Sequence, residues 1–191
     1  MASSIETTST TTTLKNNGNT YLSVDTNDVV ALTNPLPVAS GGSVIKQIVN
    51  TQTGAVATGS TTIPDDDTIP QNDEGTEFMT LAITPTSATS KLRIDVTVEG
   101  SLATAQRIAY CLFQDSTAGA LAVVSTFQKG NAQNAPALTW SHTMTAGTTS
   151  ETTFKVRVGG SAYVFTFNGT SGGRKYGGVA ASSITITEYT A

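Results

Sequence analysis

The chain of 191 residues has one cysteine, one histidine and one tryptophan, and each scarcity excludes something. A lone Cys111 forms no internal disulfide. A zinc site draws several ligands from Cys and His, and this chain offers one of each. A Ser-His-Asp triad needs base, orienter and nucleophile in mutual reach. The only base, His142, neighbours Ser141, and adjacent strand residues point to opposite faces. His142 is therefore expected on an exposed or interface strand face. Charged residues make up 13% of the chain, with a net charge of −4. No Lys/Arg stripe is present, so the footprint of a nucleic-acid binder is missing. The apolar runs fall far short of the about 20 residues of a membrane helix. Residues Met1 to Thr7 have neither a basic nor an apolar region, unlike a secretory signal. The expectation is synthesis in a cytoplasm, without membrane insertion.

Paired carboxylates of the glycosidase kind are also missing. Asp95 and Glu99 share a strand face, but Arg93 and Thr97 share it too, which describes a solvated row. No catalytic residue and no cofactor are expected. The apolar fraction is 38%, below the about 45–50% of ordinary domains, a range that includes Gly. A core is feasible only where strands share their inner faces.

Threonine is the commonest residue, and it stands in alternating stretches. Phe78–Ile83, Leu92–Val98, Phe154–Val158, Tyr163–Phe167 and Ile184–Thr187 place β-branched and aromatic side chains at period two. Such stretches suit a pleated, half-buried surface. Strands are expected near 77–84, 91–99, 106–114, 121–128, 138–145, 152–158, 162–167 and 182–189. Val44–Val49 and Ala55–Thr58 are expected to pair around a turn at Asn50–Gly54. The fold class is all-β: an antiparallel jelly-roll sandwich with an extended N-terminal β arm. Cys111, inside Ile108–Phe113, reads as a buried, inert thiol.

Composition divides the chain into an arm, residues 1–43, and a head, residues 44–191. Residues 1–13 are Ser/Thr-rich and nearly lack apolar side chains, so they are either disordered or ordered by a partner. Turn signals at Lys15–Asn19 and Asp25–Asp28 flank Thr20–Val24 and precede Val29–Leu32. Pro35 and Pro37 impose an extended stretch, and Gly41-Gly42 offers a hinge. So little structure is expected to intertwine with copies of itself or to dock on another protein.

Two segments hold candidate site residues. Asp65, Asp66 and Asp67 form the densest charge cluster, with Asp73, Glu74 and Glu77 nearby. Calcium takes 6–8 oxygen ligands of this kind, yet the EF-hand spacing is absent, and a solvated loop explains the cluster equally. Arg174, Lys175 and Tyr176 stand within Gly172–Gly178. Arg and Tyr suit binding surfaces, and Tyr can stack on a sugar. The alternative is a long turn with Tyr176 packed inward. Asn168-Gly169-Thr170 matches a glycosylation sequon, but a tight Asn-Gly turn accounts for it.

The run Thr62–Phe78 leading into Ile83–Leu92, together with Phe165–Gly178 followed by Ser183–Glu188, resembles the jelly-roll domain of tailed-bacteriophage virion proteins. Asn19–Val24 with Leu36–Gly42 is similar to the connecting segments of phage fibres. The resemblance covers most of residues 44–191. It implies a homotrimer with heads packed about a threefold axis, as in tumour-necrosis-factor-like proteins, and it transfers no catalytic residue. The function expected from it is a virion fibre or spike. Residues 1–43 would anchor it to another virion protein, and an outward head would meet host-surface glycan. A capsid decoration protein and a carbohydrate-binding module of a bacterial surface protein are the alternatives.

Overall fold

A computed structural model describes residues 3–7, 11–16, 19–25, 30–32, 43–129 and 134–190. Residues 1–42 and 43–191 form two units.

The first unit contains an antiparallel meander: β1 (Ser3–Thr7), β2 (Thr11–Asn16), β3 (Asn19–Asp25) and β4 (Val30–Leu32), in that order. The strands β3 and β4 stand where the alternating residues place them. The first two do not. The Ser/Thr tract, expected to be disordered or ordered by a partner, forms strands within the chain, with Ser3 opposite Asn16 and Thr11 opposite Asp25. A ladder holds through backbone hydrogen bonds, and β-branched Thr favours its dihedrals. The expected Pro35–Gly42 stretch and hinge lie outside the described residues.

The second unit has eight principal strands. They are β5 (Ile45–Thr53), β7 (Thr76–Ile83), β8 (Lys91–Leu102), β9 (Ala105–Gln114), β10 (Ala122–Lys129), β11 (Ala137–Thr145), β12 (Thr152–Gly160) and β16 (Ser182–Tyr189). One sheet runs β5-β16-β8-β11 and the other β10-β9-β12-β7, all antiparallel. First strand beside last, with the chain alternating between sheets, is the jelly-roll order. Short strands β6 (Ala57–Gly59) and β13 (Phe165–Phe167) prolong the first sheet past the ends of β5 and β16.

The core lies between the sheets. Leu92, Ile94, Val96 and Val98 alternate inward on β8 and meet Ile184 and Ile186 of β16. Phe154, Val156 and Val158 of β12 face them from the other sheet, with Ile108, Tyr110 and Leu112. Each such side chain contributes about 1.5–3 kcal/mol when fully buried. Phe78 stacks on Phe167 at 5.0 Å and meets the edge of Phe165 at 5.5 Å.

Two strand expectations need correction. Asn50–Gly54 is no hairpin turn: β5 runs through to Thr53 and pairs with β16, while β6 pairs with β13. Asn50 stays in the strand because its amide donates to the Ile184 carbonyl and the Thr185 hydroxyl, at 3.0 and 2.8 Å. The 162–167 strand shrinks to Phe165–Phe167, since Tyr163 has φ +74°.

Ile108–Phe113 is apolar on both faces for a reason internal to the chain. The outward Cys111 and Phe113 are covered by Ile63 of the β6–β7 connection. Arg157 fastens that connection, donating to the carbonyls of Glu74 (2.8 Å) and Gly75 (2.9 Å).

Candidate surface-binding site

Strand direction sorts the connections of the head between two ends. The chain enters β5 at one end, together with residues 84–90, 115–121 and 146–151. The other end carries residues 54–62, 103–104, 134–136 and 161–181, while residues 63–75 run back across the second sheet and bond to residues 118–120 through Pro70 and Asn72. The Gly-framed segment with Arg174, Lys175 and Tyr176 therefore lies at the end opposite to chain entry.

Asn168 positions that segment. It is fully buried with φ +52°, a conformation Asn tolerates better than most residues. Its amide donates to the carbonyls of Thr53 (2.7 Å) and Ala55 (3.1 Å), and its side-chain oxygen accepts from Ser182 Oγ at 2.7 Å. Its own N–H donates to the Glu99 carbonyl at 2.9 Å. One side chain thus ties the β5–β6 bend to the start of β16. The expected tight Asn-Gly turn is not formed: Asn168 is a single left-handed residue after β13, Gly169 already stands in the next strand, and the sequon amide is committed to the Thr53 and Ala55 carbonyls.

Beyond it, β14 (Gly169–Thr170) and β15 (Gly173–Arg174) form a hairpin through Ser171 (φ +50°) and Gly172 (φ +75°). Two positive-φ turn residues match the right-handed twist of the flanking strands. A short 3-10 turn, Tyr176–Gly178, follows. It rests against Gly54, where an added Cβ would fall 1.8 Å from the Gly178 carbonyl oxygen.

Tyr176 is 80% exposed and has φ +49°. The inward-packed alternative is thereby overturned. A left-handed, non-glycine, exposed aromatic residue is a strained arrangement of the kind that concentrates at binding surfaces. With Lys175, Glu99, Asn134, Ala135 and Thr170, it lines a cleft of about 410 Å³. That lies within the range of small-ligand sites. Arg174 is exposed but is not part of this lining.

Three side-chain polar groups of the cleft are uncommitted among the described residues. Neither the Glu99 carboxylate nor the Lys175 ammonium has a hydrogen bond or ion pair among the described residues. The Thr170 hydroxyl is buried and has no partner among them. Sequence reasoning missed Glu99 and Thr170. Glu99 reads as one more member of a solvated row, and only the fold brings it beside residues 170–176.

The acidic cluster does something else. Asp65 pairs with Arg107 at 3.3 Å. Asp66 accepts from the N–H and hydroxyl of Thr68 at 2.9 and 2.6 Å. These bonds hold the Asp66 carboxyl below its ordinary value. Among the described residues, no three His, Cys, Asp or Glu side chains converge as a metal site would require. The loop forms one side of a second cleft, also about 410 Å³, over β9 and β10.

His142, expected on an exposed or interface strand face, lies half-buried on the inward row of β11, between Trp140 and Met144. The even-numbered residues of β11 point inward because Trp140 fills the core beside Tyr110, with ring centroids 6.1 Å apart. Ser141 is exposed on the opposite face. Arg93 engages Asp95 at 3.0 Å on the solvated row of β8. Cys111 is fully buried. Burial, aided by the Glu74 carboxylate and opposed by Arg157, pushes its thiol up to about 12. Such a thiol is not a nucleophile at neutral pH.

No family model and no curated protein matches this sequence. Among solved structures, infectious bursal disease virus, Gx strain, is similar at 10% identity and a TM-score of 0.33 over 82% of this chain. The VP2 subviral particle of infectious bursal disease virus is similar at 11% identity and a TM-score of 0.31 over 95%. This chain spans 40% and 47% of those chains. A likeness so loose carries no information about activity or assembly.

Proposed function

We propose that this chain is a structural, non-enzymatic component of a bacteriophage virion, a homotrimeric fibre or spike. Residues 1–43 attach it to another virion protein, and the loop end of the jelly-roll head meets the host surface. The observation that carries this reading is polarity. The chain enters the head at one end, and the exposed Tyr176 with its cleft stands at the other. A device that is anchored at its base and recognises at its tip needs that arrangement. Exposed apolar side chains on the second sheet, Val123 and Phe127 of β10 with Ile69 nearby, favour contact with sister chains. The test is deletion of residues 1–43. The truncated head is expected to be lost from particles, and unchanged incorporation would end this reading.

The same apolar residues also favour a second reading, a decoration protein that bridges capsomers. Loss of the protein separates the two. A fibre mutant keeps stable heads and loses adsorption, whereas a decoration mutant loses head stability.

A further inference from the structure

We propose that the cleft between Glu99, Thr170, Lys175 and Tyr176 binds a neutral hexose ring of a surface polysaccharide, a proposal that rests on the loop end being the host-facing end. Three features converge there. The Tyr176 ring stands 80% exposed at the mouth, and a sugar's C–H face packs on such a ring while its hydroxyls turn away. The Glu99 carboxylate accepts only. With no donor engaged among the described residues, it is free to take two neighbouring hydroxyls of one ring, and hydrogen bonds to a charged acceptor are the stronger kind. The Lys175 ammonium donates only and serves a ring or hydroxyl oxygen. The Thr170 hydroxyl is buried behind the cleft wall without a partner among the described residues, so Thr170 shapes the wall and leaves polar recognition to Glu99 and Lys175.

Charge selects among sugars. One carboxylate and one ammonium cancel, so the cleft has no net attraction for an ionised ligand. A uronic or sialic acid would lose at Glu99 what it gains at Lys175. A neutral ring with adjacent hydroxyls uses both charges and repels neither. The volume of about 410 Å³ admits a mono- or disaccharide unit. The cleft over β9 and β10 is a poorer match, because its Asp65 is already paired with Arg107 and the rest of its lining is largely apolar. The backbone points the same way. Tyr176, Gly177 and Gly178 have φ +49°, +67° and +89° in succession, which holds the ring out from the head when simple burial would draw it in.

The experiment is saturation-transfer NMR on the full chain with the methyl glycosides of glucose, galactose and mannose, and with glucuronate as the acidic comparison. At least one neutral glycoside is expected to receive saturation, and glucuronate none. Tyr176→Ala and Glu99→Gln are each expected to weaken binding about tenfold or more. Both side chains are free of partners among the described residues, so melting temperatures should stay unchanged. Binding that is unaltered in both variants would overturn the site. Transfer to glucuronate and to no neutral glycoside would overturn the ligand class. Adsorption of the purified protein to cells of the host separates the proposal from the reading beneath it. Adsorption that Tyr176→Ala abolishes, with no glycoside bound, removes the sugar and leaves the host-facing end. Absence of both adsorption and glycoside binding removes both.

Discussion

Glu188 and Glu99 are carboxylates near opposite ends of the same sheet, and they live in opposite conditions. Glu188 is fully buried on the inward row of β16. Gln47 Nε2 donates to it at 2.6 Å, and the Thr86 N–H and hydroxyl at 2.9 and 2.7 Å. Burial alone would push its carboxyl up. The bonds from Gln47, Ser90 and Thr86 outweigh that and hold it at about 2. Glu99 has a carboxylate with nothing bound to it among the described residues. The difference separates a polar group that serves the fold from one left over by it. Glu188 stands at the end where the chain enters. Asp115 there likewise accepts from the Thr153 N–H at 2.7 Å and the Thr152 hydroxyl at 2.8 Å.

The largest way to break the contrast is at Asn168, the bracket of the loop end whose side chain is fully committed. Asn168→Ala leaves the Thr53 and Ala55 carbonyls and the Ser182 hydroxyl without their partner. We expect a loss of about 3 kcal/mol or more, read by chemical denaturation. Next is Glu188→Gln, which places an amide donor among donors. Its expected cost is about 2 kcal/mol at neutral pH. Acid sharpens the same point. The folded carboxyl lies below its ordinary value of 4.5, so its stabilisation is fully present above that value. It is lost as pH falls through about 2, because the unfolded chain then binds the proton more readily than the folded one. Melting temperature should therefore decline from about pH 5 to about pH 2 in the native protein and more gently in Glu188→Gln. An equal decline in both would show that Glu188 is not the group responsible. The smallest effect belongs to the loop end. Thr170→Val removes an unpaired buried hydroxyl at nearly constant shape and is expected to raise stability by about 1 kcal/mol. A loss there would mean that the hydroxyl is satisfied in solution.

The sandwich was legible because its strands carry their orientation in their side chains. Leu92, Ile94, Val96 and Val98 alternate with Arg93, Asp95 and Thr97, and the structure buries the first set and leaves the second nearer the surface. The errors fall where side-chain chemistry hides a strand. Asn50 looks like a turn residue, and its amide is instead spent sideways on β16. The Ser/Thr tract of β1 and β2 misleads in the same way, because no apolar alternation marks its ladder.

The cleft was half legible. Lys175 and Tyr176 announce themselves in a Gly-rich frame. Glu99 and Thr170 are distant in sequence from each other, and they meet only because β13 and β14 return alongside the end of β8. The outward cover over Cys111 was likewise hidden. A strand that is apolar on both faces invites a partner chain, and here the chain's own Ile63 fills that place.

The two ends of the head's chain are joined in a way that reaches beyond stability. The Thr190 N–H donates to the Val44 carbonyl at 3.0 Å, and the Val44 N–H to the Thr190 hydroxyl at 2.9 Å. Entry and exit thus form a single clasp, far from the loops that carry Tyr176. The head is a cassette. It can be lifted between two residues of a host chain that stand side by side, or reopened at another loop after a short splice, without a change at the loops around Tyr176. Evolution can exchange such a unit whole, and so can an engineer.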